Sequence, residues 1–160
     1  MSAKDVAVKE TRTKGQGVFA LRDFPKGAVL FRRRYSRVVR NIELALLSEE
    51  DRRHKDELDW ETSVIMLPPG CYINHSCDPN AILKGNTFYA WKDIRQGEEI
   101  TQEYRISSFT GERWECFCGS ANCQGHVISD FFSMTEDQQR LYLPYAPRFI
   151  QEEYRRRNTP

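Results

Sequence analysis

No stretch of the chain approaches the roughly 20 consecutive apolar residues that a bilayer crossing requires. Its first residues, Met1-Ser2-Ala3-Lys4-Asp5, carry neither an apolar run of signal-peptide length nor a lipidation motif. Membrane anchoring and secretion are therefore not expected, and the protein is expected to work inside a cell, in cytoplasm or nucleus. Compositional bias is absent too. With 9 Gly and 7 Pro in 160 residues, 39% hydrophobic and 29% charged, neither a fibrous nor a disordered chain is indicated. A chain of this length buries a core without disulfide staples, and one domain is the expectation. No internal repeat or linker is evident. Net charge is nearly absent, +1, which excludes a strongly polyanion-seeking domain.

That balance hides an asymmetry. Residues 1–40 hold 11 Lys and Arg against 3 Asp and Glu, a net of +8, while residues 41–160 hold 13 against 20, a net of −7. Arg32, Arg33, Arg34, Arg37 and Arg40 read first as the solvated face of a strand and the loop after it, and second as a contact for an acidic protein. No aromatics interleave with them and no nucleic-acid motif accompanies them, so direct nucleic-acid binding is not expected.

Five cysteines is an odd count, and spacing matters more than number. Cys116, Cys118 and Cys123 lie close together, and Cys77 lies far upstream. Clustered thiols in an intracellular chain point to a metal rather than to disulfides. Zinc takes four thiolates tetrahedrally, and the Gly119-Ser120 step lets the backbone turn so that Cys123 reaches a metal held by the first pair. On spacing alone, His75 or Cys71 competes with Cys77 for the fourth position.

Apolar periodicity predicts mostly strands. Val6 and Val8 alternate with polar neighbours, and Val18–Leu21 and Ala28–Phe31 read as strand, turn, strand around Asp23-Phe24-Pro25-Lys26-Gly27. Residues 42–58 suggest one or two short helices, with Ser48 and Asp51 as a capping pair. Thr62–Leu67 reads as a strand stopped by Pro68-Pro69-Gly70. Ala81–Leu83 and Thr87–Trp91 form a hairpin around Lys84-Gly85-Asn86, and Glu99-Ile100-Thr101 opens another strand. Arg105 to Gly125 reads as loop and metal knuckle. Thr135 caps a helix through Leu143, Pro144 to Pro147 breaks it, and Arg148 to Arg157 forms a second.

Three separated pieces carry a resemblance. Lys14-Gly15-Gln16-Gly17-Val18-Phe19-Ala20 is a Gly-x-Gly turn followed by Pro25-Lys26-Gly27. Ile73-Asn74-His75-Ser76-Cys77-Asp78-Pro79-Asn80 contains Asn-His-Ser-Cys-x-Pro-Asn. Gly97-Glu98-Glu99-Ile100-Thr101-Gln102-Glu103-Tyr104 matches Gly-Glu-Glu-Leu/Ile-Thr-x-x-Tyr. In this order, with the cysteine triple behind them, they resemble a SET-domain protein-lysine N-methyltransferase with a post-SET zinc-binding segment.

The resemblance implies a mostly β fold of small curved sheets with a threaded C-terminal segment, a zinc knuckle and short C-terminal helices. It divides the chain into a SET domain at 5–110, a knuckle at 111–126 and a helical extension at 127–160. It implies S-adenosylmethionine as cofactor, with Gly15, Gln16, Gly17, Asn74 and His75 as contacts and Phe117 as a wall of the adenine site or channel. Phe131 or Phe132 would then act as a lid. One structural zinc is implied on Cys77, Cys116, Cys118 and Cys123, which leaves Cys71 as a small buried core residue. The substrate implied is a lysine of a histone or other protein, and Tyr104 is the catalytic tyrosine by position.

The residues suit that chemistry. A lysine amine, with a pKa near ~10.4, must lose its proton before it attacks a methyl carbon. An apolar channel and a nearby sulfonium both disfavour the ammonium, so alignment rather than a strong base is what the site must supply. The sequence departs from the family's pattern in three places. Phe31-Arg32-Arg33-Arg34-Tyr35 replaces the usual aromatic and acidic pair, Gln102 stands where Phe or Tyr is frequent, and the insert before Asn74 is short. Target selection is therefore expected from the domain surface or a partner. The alternative reading is a catalytically inactive SET-like protein-binding module.

Overall fold

Strands dominate the computed structural model, which describes residues 4–159. In chain order they are β1 (Val6–Glu10), β2 (Gln16–Ala20), β3 (Val29–Arg32), β4 (Tyr35–Arg40), then helix α1 (Glu49–Arg53), β5 (Lys55–Glu57), β6 (Thr62–Met66), β7 (Asn74–His75), β8 (Ala81–Lys84), β9 (Thr87–Ala90), β10 (Glu99–Gln102), β11 (Phe109–Glu115), β12 (His126–Asp130), and helices α2 (Glu136–Tyr142) and α3 (Arg148–Asn158). They form four small sheets, ordered β1-β2-β10-β7, β3-β9-β8, β4-β6-β5 and β11-β12.

The two strands either side of Pro25-Lys26-Gly27 do not pair with each other. Instead β2 lies between β1 and β10, and β3 pairs with β9. The cause is a repeat that composition hides: Leu21-Arg22-Asp23-Phe24-Pro25-Lys26-Gly27 and Trp91-Lys92-Asp93-Ile94-Arg95-Gln96-Gly97 adopt the same turn. Gly27 and Gly97 share a φ of 86°, where only glycine is unstrained. The two turns face each other, and Phe24 and Ile94 exchange backbone hydrogen bonds of 2.7 and 2.8 Å. Asp93 accepts from the Lys26 amide at 2.8 Å and Asp23 from the Gln96 amide at 2.7 Å. Each turn thus sends its outgoing strand into a different sheet, and the expectation of no internal repeat is corrected.

One core is built from this repeat, with Val18, Phe24, Phe31, Phe88, Ile94 and Ile100 buried together. A second gathers Phe131, Met134, Tyr142, Phe149 and Ile150 around Ile82. The helices follow their sequence signals. Ser48 accepts from the Asp51 amide to start α1, Thr135 and Gln138 form a reciprocal cap on α2, and Pro147 precedes α3. The second core keeps Phe131 fully buried, and Phe132 lies beneath Arg157, whose guanidinium is 3.7 Å from the ring centre. Neither phenylalanine is a lid.

The segment expected to be loop between Arg105 and Gly125 contains β11, which pairs with β12. Thr110-Gly111-Glu112-Arg113 has no apolar alternation; the strand bulges here, with Gly111 at a φ of 72°, and is paired on either side of the bulge, Phe109 with Asp130 and Arg113 with Ile128. The cysteine triple therefore sits at the tip of a hairpin. Its base is anchored where Trp60 meets Phe109 and Phe149, at ring separations of 4.6 and 4.8 Å.

Candidate active site

A parallel pairing brings the second and third motifs together. β7 runs beside β10 with Asn74 opposite Thr101 and His75 opposite Gln102. Asn80, at the end of the same motif, locks this register: its amide donates to Glu99 O and its oxygen accepts from the Thr101 amide, each at 2.9 Å. The first motif reaches the pair through β2. The Asn74 amide donates to Gln16 O at 2.9 Å and to Glu99 Oε1 at 2.8 Å, and Lys14 Nζ lies 2.7 Å from Glu99 Oε2. Glu99 thus ties all three pieces into one wall, a role that its place in Gly97-Glu98-Glu99 did not reveal. Gly17 is required there for space. A Cβ on it would fall 2.7 Å from Thr11 Cγ2, 2.8 Å from Glu99 Oε1 and 3.0 Å from Asn74 Nδ2.

Tyr104 follows directly and, with Arg53 and Cys71, lines two adjoining cavities. One, of about 500 Å³, is lined by Lys14, Gln16, Arg53, Tyr72, Asn74 and Tyr104. The other, of about 240 Å³, holds Met66, Cys71, Ile73, Gln102, Tyr104 and Ser107. It lies between Lys55–Glu57 of β5, an outer strand of its sheet, and Thr110 and Glu112 of β11. The Tyr104 hydroxyl donates to Ile73 O at 2.6 Å. Burial pushes its pKa above the ordinary phenol value, and the Asp56 and Glu99 carboxylates add to the shift, so the group stays a neutral phenol.

His75 supports this wall from behind. Its Nδ1 accepts from the Tyr104 amide at 3.3 Å, and its Nε2 lies 3.4 Å from Cys77 Sγ. Burial lowers its pKa to about 4, overriding the opposing influence of Glu103. The imidazole is therefore neutral. Trp114 packs edge-on against it at 5.0 Å and lies 6.0 Å from the Tyr104 ring, while the indole N–H donates to Ser129 Oγ at 3.0 Å. Sequence reasoning missed Trp114. Its only signal was an aromatic two residues before Cys116.

Beyond His75 the sulfurs of Cys77, Cys116, Cys118 and Cys123 all lie within 4.8 Å of one another, and those of Cys77 and Cys116 are 3.9 Å apart. Bonds of about 2.3 Å to a tetrahedral zinc put sulfurs about 3.8 Å apart, so this group has the size of a zinc site. Backbone N–H groups face it: Cys77 N is 3.5 Å from Cys118 Sγ and Gly125 N is 3.4 Å from Cys123 Sγ. Burial opposes ionisation of Cys118, but the Cys77 amide and the Ser120 hydroxyl outweigh it and lower the thiol to about 6. Cys71 and His75 stand outside the sulfur group.

A family model described as SET domain matches residues 15–105. The chain belongs to the SET domain family. It is 30% identical over 141 residues to the histone-lysine N-methyltransferase, H3 lysine-36 specific, of Mycosarcoma maydis, a match covering 76% of this chain and 14% of that protein. It is 30% identical over 150 residues to the histone-lysine N-methyltransferase SETD2 of Homo sapiens, covering 77% of this chain and 5% of that protein. The chain thus spans a small part of the length of these relatives. Its fold is similar to the methyltransferase domain of human histone-lysine N-methyltransferase SETMAR, with a TM-score of 0.61 and 24% identity over 78% of this chain and 58% of that one.

Against this SET-domain frame, Gln16, Asn74 and Tyr104 come together on the larger cavity, with Gly15 and Gly17 flanking Gln16 in the turn. The His75 side chain is buried behind the wall and does not line it. Phe117 is 67% exposed and lines neither cavity, because with Cys116 and Cys118 both turned to the sulfur group the residue between them points outward. Cys71 is a correction, since it is half-buried and lines both cavities, with burial raising its thiol to about 11.

Proposed function

We propose that this SET domain transfers a methyl group from S-adenosylmethionine to the side-chain amine of a lysine in a histone or other intracellular protein, in nucleus or cytoplasm. The observation that carries the reading is Tyr104 lining both of two neighbouring polar cavities, one of small-molecule size, the other smaller and between two outer strands. In the larger, Lys14 and Arg53 offer cationic groups to a carboxylate, Gln16 and Asn74 offer polar contacts, and Tyr72 offers a flat apolar face. That donor set fits an amino acid joined to a nucleoside. When bound, S-adenosylmethionine supplies an electrophilic methyl on a sulfonium.

The chain's own residues supply alignment. The smaller cavity has Met66, Ile73 and the uncharged Tyr104 ring in its wall beside Arg53, Lys55, Asp56, Glu57 and Glu112; its apolar part and its cations disfavour an ammonium, while the carboxylates draw a lysine toward the mouth. The Tyr104 proton is committed to Ile73 O, so the oxygen's lone pairs face the cavity and can accept weak C–H contacts from a polarised methyl. The outer strands β5 and β11 offer unpaired backbone groups to an extended substrate segment. The four cysteines hold one structural zinc. Four thiolates with Zn²⁺ carry −2, which the facing backbone amides partly offset, and such a closed site has no position for a catalytic water. Through Cys77, His75 and Trp114 the metal sets the wall behind Tyr104. The division at residues 110 and 126 into SET domain, knuckle and helical extension belongs to the same reading.

The test is incubation with tritiated-methyl S-adenosylmethionine and core histones, followed by hydrolysis and amino-acid analysis. Label in methyl-lysine supports the enzyme. Cofactor that binds without labelling any protein lysine supports the inactive binding module instead.

A further inference from the structure

A second surface adjoins the smaller Tyr104 cavity, with which it shares Glu57, Gln102 and Ser107, and runs from there to where the C-terminal extension folds back on the β3-β9-β8 sheet. β8 is an outer strand of that sheet. A cavity of about 590 Å³ runs along Ala81–Leu83 under Ile106, Tyr145 and Ala146. A second, of about 700 Å³, continues from the shared residues Ile82, Gly85 and Tyr145 to Trp91. Together they form one groove with an apolar floor. Tyr145, Ala146 and Pro147 belong to the break between α2 and α3, so the groove's roof is a product of the extension.

Two features say what fits there. The first is backbone polarity. β8 and β9 are joined by the two residues Gly85-Asn86, with Lys84 opposite Thr87 and Ile82 opposite Tyr89. In such a hairpin those pairs exchange the ladder bonds, and the residue between them turns its N–H and C=O to the other side. Leu83 is that residue. Its N–H and C=O face the groove, and among the described residues no partner from outside the sheet meets them. The second is charge. The acidic side chains on the groove are already paired: Glu57 with Lys55 at 2.6 Å and Glu103 with Arg105 at 2.7 Å. Lys26 and Lys84 at the far end are exposed and in no ion pair among the described residues, and Lys26 Nζ lies 5.8 Å from the Trp91 ring centre.

We propose that this groove docks an extended segment of a partner protein in which apolar and acidic residues alternate. The segment adds as a strand to the free edge of β8. Its backbone pairs with Leu83, alternate side chains cover Tyr145 and Trp91, and its carboxylates meet Lys84 and Lys26. Strand addition takes affinity from main-chain bonds and specificity from alternate side-chain pockets, and this groove offers both. The site adjoins the smaller cavity through Glu57, Gln102 and Ser107, but the docking uses neither Tyr104 nor the methyl-transfer chemistry.

The experiment is an anisotropy titration of the whole chain with a labelled peptide that alternates Glu with Val, and with a counterpart that alternates Lys with Val. Amide exchange is followed by NMR. The expected result is saturable binding of the acidic peptide with slowed exchange at the Leu83 amide. The basic peptide binds at least about tenfold more weakly, and the double variant Lys26→Glu, Lys84→Glu loses about tenfold for the acidic peptide. Tyr145→Ala, which leaves the charges in place, weakens both. The proposal is overturned by equal binding of the two peptides, by unchanged affinity in the charge-reversed variant, by protection that maps away from β8, or by no saturation at millimolar peptide. Self-association that protects Leu83 without peptide also overturns it, since a second copy would then own the groove.

Discussion

Gly17→Ala and Gly15→Ala separate space from backbone freedom within one turn. At Gly17 the new Cβ meets three atoms at 2.7, 2.8 and 3.0 Å, well inside ordinary contact, and two of them belong to Glu99 and Asn74. To make room the Asn74 amide must leave Gln16 O and Glu99 Oε1. Overpacking of this kind costs about 1–3 kcal/mol, and a domain of this size loses about 2–4 °C of Tm per kcal/mol. The expected fall is therefore about 2–12 °C. Because Asn74 and Lys14 form the wall of the larger cavity, affinity for S-adenosylmethionine should fall at least about tenfold, or 1.4 kcal/mol. Gly15 has a φ of 70° and nothing within 4 Å of its Cβ position, so Gly15→Ala carries only the left-handed backbone cost of about 1–2 kcal/mol. Its Tm should fall by about 2–8 °C and its cofactor affinity should change little. Differential scanning fluorimetry and isothermal titration calorimetry on both variants give the comparison. Equal cofactor affinity in Gly17→Ala and wild type would refute the assignment of the Gln16–Asn74–Glu99 wall.

Three further outcomes follow from the same geometry. Rate under chemistry-limited conditions should climb from pH 7 toward about 9 as substrate lysine loses its proton. Tyr104 adds no step of its own there, because its raised pKa keeps it neutral; its contribution to stability is present below the unfolded phenol value of about 10 and is lost as pH rises through the folded value. A flat profile contradicts this. Metal analysis should find one zinc per chain, lost in Cys118→Ser and kept in Cys71→Ser. Without metal, hydrogen exchange should rise across 116–125 while β11 and β12 stay protected, since their pairing and the Trp60 contacts do not use the metal. Trp114→Ala should keep zinc and lower kcat more than it raises the KM for cofactor, because the indole touches His75 and the Tyr104 ring rather than lining the larger cavity. A KM effect alone would place it in the cofactor site instead.

Much of the site was legible because its motifs encode backbone contacts that only particular residues make. Asn74, Asn80 and the Gly15–Gly17 turn are examples: each side chain or missing side chain fixes one register. Cys77 and the cysteine triple were legible for the same reason. What stayed hidden depends on partners remote in the chain. The polar stretch Thr110–Glu112 is a bulge in β11, carried between pairings with β12 that no local pattern announces. The matched turns at 21–27 and 91–97 share Asp and Gly but little else, so the repeat emerges only when they face each other. The outward turn of Phe117 was not legible, because it follows from Cys116 and Cys118 on either side both turning inward. His75 was read as a cofactor contact, but its side chain is held behind the wall by the Tyr104 amide and Cys77.

The comparison of wild type with Tyr104→Phe tests the methyl-transfer reading most directly. The substitution removes one hydroxyl, leaves the ring packed against His75, and deletes the bond to Ile73 O, at a cost of about 1–3 kcal/mol in stability. Calorimetric titration with S-adenosylmethionine and labelled methyl transfer to protein lysine are measured on the same preparations. The account predicts that the variant binds cofactor with near wild-type affinity and loses most transfer. Near-normal transfer by Tyr104→Phe, or wild-type protein that binds cofactor and methylates no lysine, would contradict it.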